Sequence, residues 1–330
     1  MKKALITGIS GQDGAYLSKL LIDKGYTVTG ITRDINTVNL TGLKYLNIIN
    51  DVKITALDLS DENAIKKLII QEEPNEIYNL AAQSSVGLSY SKPVQTLKYN
   101  ILSSVNILET IRLYNPLIKF YQASSSEMFG NIAPEKLPIR ENLIFHPVSP
   151  YAVSKASAHW MAVNYREAYS IYSCCGILFN HESPLRGDNF VIKKILNTAV
   201  KIKLGLEHQP LKLGNLLIQR DFGYAPKYVE AMWLMMQQEN PDDYLICSGK
   251  PILLKTLVEK IFGKLNLDCD KYVTIDTNLF RPLDLEIIYG DNSKAKKELH
   301  WDYNYNIDEL VEKLIIEEEK FINWQLDLNN

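Results

Sequence analysis

The chain has 330 residues, enough for one large α/β domain or two coupled smaller ones with a full core. Hydrophobic residues make up 46% and charged residues 23%, which excludes a disordered, collagenous or coiled-coil chain. Lys+Arg number 36 and Asp+Glu 39, a net charge of −3, so there is no electrostatic footprint for nucleic acid or a membrane surface, and an anionic ligand needs a local cationic cluster.

In chain order, MKKALITGIS has an apolar stretch too short for a signal-peptide core, and no run reaches the ~20 apolar residues of a membrane span. A soluble, cytoplasmic protein is expected. Short runs rich in β-branched and aromatic residues predict strands at residues 4–7, 27–32, 53–57, 76–80, 119–123 and 172–179. Amphipathic stretches between them predict helices at 15–24, 62–70, 94–114 and 152–169. This alternation implies βαβ units with right-handed crossovers, hence an α/β fold with a Rossmann-type doubly wound parallel sheet. After about residue 180 the rhythm loosens, with Gly, Pro and Asn punctuation at 183–188, 205–215 and 240–243. Residues 1–180 are therefore expected to form a dinucleotide-binding domain, interleaved with later segments, and 181–330 a smaller C-terminal α/β substrate-binding lobe. Cys174, Cys175, Cys247 and Cys269 make no CxxC pair, and adjacent Cys174 and Cys175 would point to opposite faces of a strand as free buried thiols. His146, His159, His208 and His300 fit no ligand spacing, so no metal site is expected.

Directly after the first strand, TGISGQDGAYL sets Gly8, Gly11 and Gly14 in a GxxGxxG spacing that opens a helix. Glycines allow a tight turn and a close approach to a pyrophosphate at the helix amino terminus, which points to a dinucleotide. The second strand ends at Arg33, which suits a 2′-phosphate and NADP, while Asp34 beside it would suit the ribose hydroxyls of NAD. Asp58 ends the third strand, where a carboxylate can reach an adenine edge. The fourth ends in NLAAQ, where small residues let the chain pass close to a cofactor.

Residues 121–130 read YQASSSEMFG, a strand end followed by Ser124, Ser125, Ser126 and Glu127. Residues 149–155 read SPYAVSK and start a helix on which Tyr151 and Lys155, at i and i+4, share a face. A lysine one turn from a tyrosine is expected to lower the phenol's pKa and make it a general base near neutral pH.

Together TGxxGxxG, NLAAQS, the serine-rich strand end and YxxxK resemble the extended short-chain dehydrogenase/reductase family of nucleotide-sugar enzymes. YQASSSEMFG, SPYAVSK, VNYREAY, GILFNHESPLRG, LGNLLIQRDFGYAPKYVEAMWLMMQQ and LFRPLDLEIIYGDNSKAKKEL are similar, nearly from end to end, to its GDP-mannose 4,6-dehydratase branch. The resemblance implies four catalytic residues. Tyr151, helped by Lys155, takes the sugar O4 proton; Glu127 takes the C5 proton and, with Ser125, helps water leave from C6. It implies NADP, with NAD less favoured, on Gly8, Gly11, Gln12, Asp13, Gly14, Arg33, Asp58, Leu59, Leu80, Ala81, Ala82, Ser84, Tyr99, Tyr151, Lys155, His181 and Arg186. It implies a GDP-sugar on Ser85, Glu127, Asn180, Val191, Lys194, Leu213, Asn215, Arg220 and Arg281, and a homo-oligomer, dimer or tetramer. Three departures stand out. Ser125 replaces the family's usual threonine, the segment after Arg33 lacks a second arginine, and Leu216 and Ile218 lie in a usually more polar stretch. The motifs leave open a GDP-heptose dehydratase, a 4-oxidase, or a reductase or epimerase of 4-keto-6-deoxy-sugars on the same fold. A non-catalytic dinucleotide-binding regulator would have lost Tyr151, Lys155 or Glu127, and all three are present.

Overall fold

The computed structural model describes residues 1–280 and 283–328. Arg281, expected at the substrate site, lies outside the described residues. The first part of the chain runs β1 (Lys3–Thr7), α1 (Gln12–Asp23), β2 (Thr27–Thr32), α2 (Thr41–Tyr45), β3 (Val52–Ala56), α3 (Glu62–Glu72) and β4 (Glu76–Asn79). It continues through α4 (Val86–Ser91), α5 (Pro93–Tyr114), β5 (Lys119–Ser125), α6 (Pro150–Tyr169), β6 (Ser173–Leu178) and β7 (Asn180–Glu182). Then come α7 (Val191–Lys203), β8 (Leu211–Leu213), β9 (Gln219–Tyr224), α8 (Ala225–Met236), β10 (Asp243–Ile246) and β11 (Pro251–Leu253). The described chain ends with α9 (Leu254–Lys264), α10 (Cys269–Tyr272), β12 (Val273–Ile275), β13 (Ile287–Ile288), α11 (Ser293–Leu299) and α12 (Ile307–Asp327).

Seven strands form one sheet in the order β10-β6-β5-β4-β1-β2-β3, every neighbouring pair parallel. Helices cover both faces, so the central strands are buried along nearly their whole length and do not alternate; all four residues of β4 and all six of β6 are buried. Cys174 packs with Tyr78 and Tyr121 on one face of the sheet, and Cys175 with Ile77 and Phe120 on the other, both as free thiols. The order reverses between β1 and β4, and the crevice at the carboxyl ends of these strands is where such sheets hold ligands.

The strands of the second lobe were not placed from the sequence, and one strand of the main sheet was also absent from the expectation. Residues 240–243 read as loop punctuation, yet Asp243 opens β10, which returns to the edge of the main sheet. The Asp243 carboxylate fastens it there, accepting from the Cys175 backbone N–H at 3.0 Å and from the Arg166 guanidinium at 2.9 and 2.8 Å. A four-residue strand is too short to show a period, and its anchor is a distant arginine.

The second sheet centres on β9, which pairs antiparallel with β11 and parallel with β7 and β13. A separate β8–β12 pair lies beside it. Because β7 follows β6 after one residue, the chain passes directly from the main sheet into this smaller one. That step carries Asn180 and His181 to the junction. Among the described residues, no helix is long and apolar enough to cross a membrane.

Candidate active site

The glycine turn after β1 is packed too closely for side chains. Gly11 N–H donates to the Gly8 carbonyl at 3.0 Å, and Gly8 has φ +73°. A Cβ on Gly14 would lie 2.4 Å from Gly8 O, and one on Gly8 would lie 2.9 Å from Ala81 N. No side chain caps the start of α1 at Gly11. A close-packed backbone leading into a helix start without a side-chain acceptor fits a pyrophosphate.

A cleft of about 390 Å³ opens beside this turn at the carboxyl ends of the strands. It is lined by all four expected catalytic residues, Ser125, Glu127, Tyr151 and Lys155. Every described residue of the expected substrate set also lines it: Ser85, Asn180, Val191, Lys194, Leu213, Asn215 and Arg220, besides Glu127. Of the expected cofactor residues it brings in, besides Tyr151 and Lys155, Asp13, Leu80, Ala82, Ser84, His181 and Arg186. The others lie outside this lining. Gln12 is buried, where its amide donates to His181 O at 3.1 Å and accepts from Ser183 at 2.7 Å, so its side chain joins α1 to β7. Leu59 has its side chain in the core at 1% exposure. The Arg33 guanidinium lies 4.5 Å over the Tyr99 ring. Asp58 accepts from the backbone N–H and hydroxyl of Ser60, and these bonds, with Arg33 and Lys98 nearby, hold its carboxyl below the usual range.

Ser149 caps α6, accepting from Ala152 N–H at 3.1 Å with Pro150 in the first turn, which fixes where Tyr151 and Lys155 begin. Both are buried, at 8% and 5% exposure. Here the structure corrects the electrostatic expectation. Burial pushes the Tyr151 phenol up to about 12, with Glu127 adding to the rise and a Ser125 hydrogen bond opposing it. Burial also lowers the Lys155 ammonium to about 8, while the Asp13 charge opposes the fall. The Lys155 Nζ donates to Ala123 O at 2.8 Å and stands 5.9 Å from the Tyr151 ring centre. The i, i+4 spacing thus gave the shared face correctly, but desolvation sets the direction of the phenol's shift.

Ser125 ends β5 and caps a short 3₁₀ turn (Ser126–Phe129) by accepting from Glu127 N–H at 3.3 Å. The serine hydroxyl does the capping, and the Glu127 side chain lines the cleft.

His181 presents one ring nitrogen to Phe179 O at 2.7 Å and the other to Asp13 at 2.9 and 3.0 Å. Burial alone would raise the Asp13 carboxyl, but His181 holds it below its ordinary value. The expected cationic cluster is present among the described residues, with partners the sequence did not show. Arg186 lies 3.7 Å from the buried Glu182 and 3.9 Å over the Phe190 ring, and Arg220 pairs with Asp284 at 3.2 Å. Glu182, Phe190, Lys212 and Asp284 all line the cleft and were missed. Lys212, Glu182 and Phe190 each adjoin an expected residue in sequence, the one signal that could have found them. Of the two apolar departures, Ile218 lines the cleft and Leu216 packs on the core. His159, assigned no role, faces the Ser124 hydroxyl at 3.0 Å, and its ring is held neutral by burial at a pKa of about 4. Its ligand atoms lie within 4.8 Å of those of Cys175 and Asp243, where Arg166 already occupies both Asp243 oxygens.

A sheet of this order, a glycine turn at its switch point and a Ser/Glu/Tyr/Lys quartet in one cleft define an extended short-chain dehydrogenase/reductase of the nucleotide-sugar type. A sequence model of the family described as GDP-mannose 4,6 dehydratase matches residues 5–314, and the chain belongs to that family. The protein "GDP-mannose 4,6 dehydratase 1" of Arabidopsis thaliana is 44% identical over 328 residues, covering 96% of this chain and 90% of that one. Among solved structures, RMD from Pseudomonas aeruginosa complexed with NADPH is similar at TM-score 0.81 and 22% identity, covering 97% of this chain and 99% of that one. A dTDP-glucose 4,6-dehydratase from Bacillus anthracis in complex with NAD is similar at TM-score 0.84 and 20% identity, covering 98% of each. These two structures share the fold.

Proposed function

We propose that the chain converts GDP-mannose to GDP-4-keto-6-deoxymannose and water. The observation that carries this reading is a carboxylate, Glu127, lining the same cleft as the Tyr151–Lys155 pair. A simple dehydrogenase has no elimination for such a group to catalyse. Tyr151 takes the proton from the sugar O4, and the Lys155 ammonium supports the phenolate. The chemistry supplied by a bound nicotinamide dinucleotide is reversible hydride storage, so none is consumed overall. Once C4 is a ketone, the C5 proton is acidic. Glu127 removes it and passes a proton to the C6 hydroxyl, which leaves as water with help from the Ser125 hydroxyl; the C5–C6 double bond left behind would take back the stored hydride at C6 and a proton at C5, which gives the 6-deoxy ketone.

NADP is the cofactor we favour over NAD. Asp34, the residue that would suit NAD, turns its carboxylate into its own loop, accepting from Asn36 N–H at 2.9 Å and from Thr37 at 3.0 Å. Arg33 is left at the strand end over Tyr99. We read residues 1–180 as the cofactor domain, interleaved with later segments such as β10, and 181–330 as the nucleotide-sugar lobe. The GDP-sugar is held by the substrate residues named above. A homo-oligomer, dimer or tetramer, is supported by Val153 and Trp160, apolar residues 40% and 57% exposed at i and i+7 on α6; sedimentation of the purified chain tests it. A cytoplasmic site fits the free thiols.

The test is to incubate the protein with GDP-mannose and NADP+ and follow products by mass spectrometry. Loss of one water without net cofactor reduction is expected. Unchanged GDP-mannose overturns the substrate, and dehydration of a GDP-heptose in its place identifies the alternative sugar. Glu127→Gln is expected to slow water loss about 10²–10⁴-fold with GDP binding retained; dehydration at the original rate overturns its role.

A further inference from the structure

The core-facing stripe of α12 reads Leu310, Val311, Leu314, Ile315, Glu318, Phe321 and Ile322, so a carboxylate stands where the helical period calls for an apolar side chain. Glu318 is fully buried. Its oxygens lie 2.6 and 2.7 Å from the Lys193 Nζ, and Asn197 donates to one of them at 2.9 Å. Lys193, on the first turn of α7, is 2% exposed and sends a further hydrogen to the Pro184 carbonyl at 2.8 Å. Its ammonium has three donors, and all three are used here.

The neighbours of this pair belong to the cleft. Lys194, the next residue, lines it, as do Val191 and Phe190 just before. Pro184 stands two residues ahead of Arg186. Ser183 is fastened separately to Gln12 on α1. The segment 183–190, which carries Arg186 and Phe190 to the cleft wall, is thus tied at Ser183 to the cofactor helix and at Pro184, through Lys193, to the C-terminal helix. A buried ion pair is a poor source of net stability, and apolar residues of similar size often replace one without loss. Such residues would fill this space too, but they would leave the Pro184 carbonyl without its donor.

We propose that Lys193, held by Glu318, is a positioning residue for the GDP-sugar wall of the cleft, setting the segment 183–190 and the first turn of α7 through the Pro184 carbonyl. This rests on the assignment of Lys194 and its neighbours to the GDP-sugar site. The double variant Lys193→Met/Glu318→Met removes both charges and separates anchoring from folding. It is expected to melt at or above the wild-type temperature, with kcat within about twofold and with KM for GDP-mannose and Kd for GDP raised about tenfold. Unchanged KM and Kd overturn the proposal, as does a loss confined to kcat. If the double variant does not fold, Glu318→Gln keeps the shape while loosening Lys193. A several-fold rise in KM then supports the proposal, and a lowered melting temperature with KM unchanged overturns it. Lys194→Ala, measured alongside, tests the underlying assignment. GDP affinity unchanged in that variant overturns the placement of the substrate, whereas weakened GDP binding there with none in the double variant overturns the positioning role alone.

Discussion

Replacing Lys155 by Arg and by Met probes the acid–base pair. Burial brings the Lys155 ammonium from 10.5 down to about 8 and the Tyr151 phenol up to about 12. Near pH 7 a phenol of that pKa ionises in about one molecule in 100,000, a deficit of about 7 kcal/mol. Any positive charge held beside it therefore weighs heavily in the rate. Lysine supplies that charge below about pH 8 and loses it above, so kcat/KM is expected to rise with pH as the phenol ionises and to level off above about 8, where each gain in phenolate is offset by loss of the ammonium. Arginine stays protonated across this range. Lys155→Arg is expected to keep gaining rate above pH 8 where the wild type levels off, at a neutral-pH rate lowered about 10–100-fold because a planar guanidinium does not replace the ammonium at Ala123 O. Lys155→Met removes the charge at every pH, and about 10²–10⁴-fold of kcat with it. Stability moves the other way. The folded chain releases this proton before the unfolded chain does, so the buried charge opposes folding below about pH 8, and the opposition fades as pH rises toward 10.5. The difference amounts to about 3 kcal/mol at most, so Lys155→Met is expected to melt above the wild type at neutral pH while turning over more slowly. Product formation across pH and melting by calorimetry read both effects. A Lys155→Arg variant whose rate still levels off at the same pH of about 8 refutes the reasoning.

Arg33→Ala is expected to weaken NADP binding at least tenfold and to leave NAD binding within about twofold, read by fluorescence titration of both reduced cofactors. Gly14→Ala pushes a Cβ to 2.4 Å from the Gly8 carbonyl, and its nearest neighbours, in Gly8 and Ile9, are all backbone, so the turn must open. A loss of about 1–3 kcal/mol in stability with cofactor affinity down more than tenfold is expected, and unchanged affinity would dissociate this turn from the cofactor. Burial raises the Asp243 carboxyl, but Arg166 prevails and holds it below 3.8. Its stabilising contribution is therefore complete above that value and disappears as pH falls through the lower folded one. Asp243→Asn is expected to cost about 3 kcal/mol at pH 7, by leaving Arg166 partly buried without its counterion, and to flatten the acid limb of urea denaturation.

The main sheet was legible in the sequence because buried parallel strands announce themselves as apolar runs. KALIT and SCCGIL have no alternation to confuse with a helix, and the observed strand bounds lie within two residues of the expected ones at either end, with β2 matching at both. The start of α1 was placed three residues late, since Asp13 and Gly14 are poor helix formers held in register by the turn that precedes them. β10 escaped because four residues carry no period, and its pairing depends on Asp243 meeting Arg166, 77 positions away in the chain.

The cleft divides along the same line. Motifs fixed by local spacing, such as SPYAVSK, came together as expected, since one helical face places Tyr151 and Lys155 whatever surrounds them. Partnerships made by tertiary packing did not show: Arg186 with Glu182, Arg220 with Asp284, and Lys193 with Glu318. In the last case a glutamate on an apolar stripe was the visible sign, because a carboxylate at such a position needs a buried cation. The Tyr151 phenol shows why spacing alone misjudges electrostatics. Adjacency fixes which charges are near, whereas depth fixes what each of them costs. Depth is a property of the whole fold, and at 8% exposure it reverses the direction that the Lys155 spacing suggested.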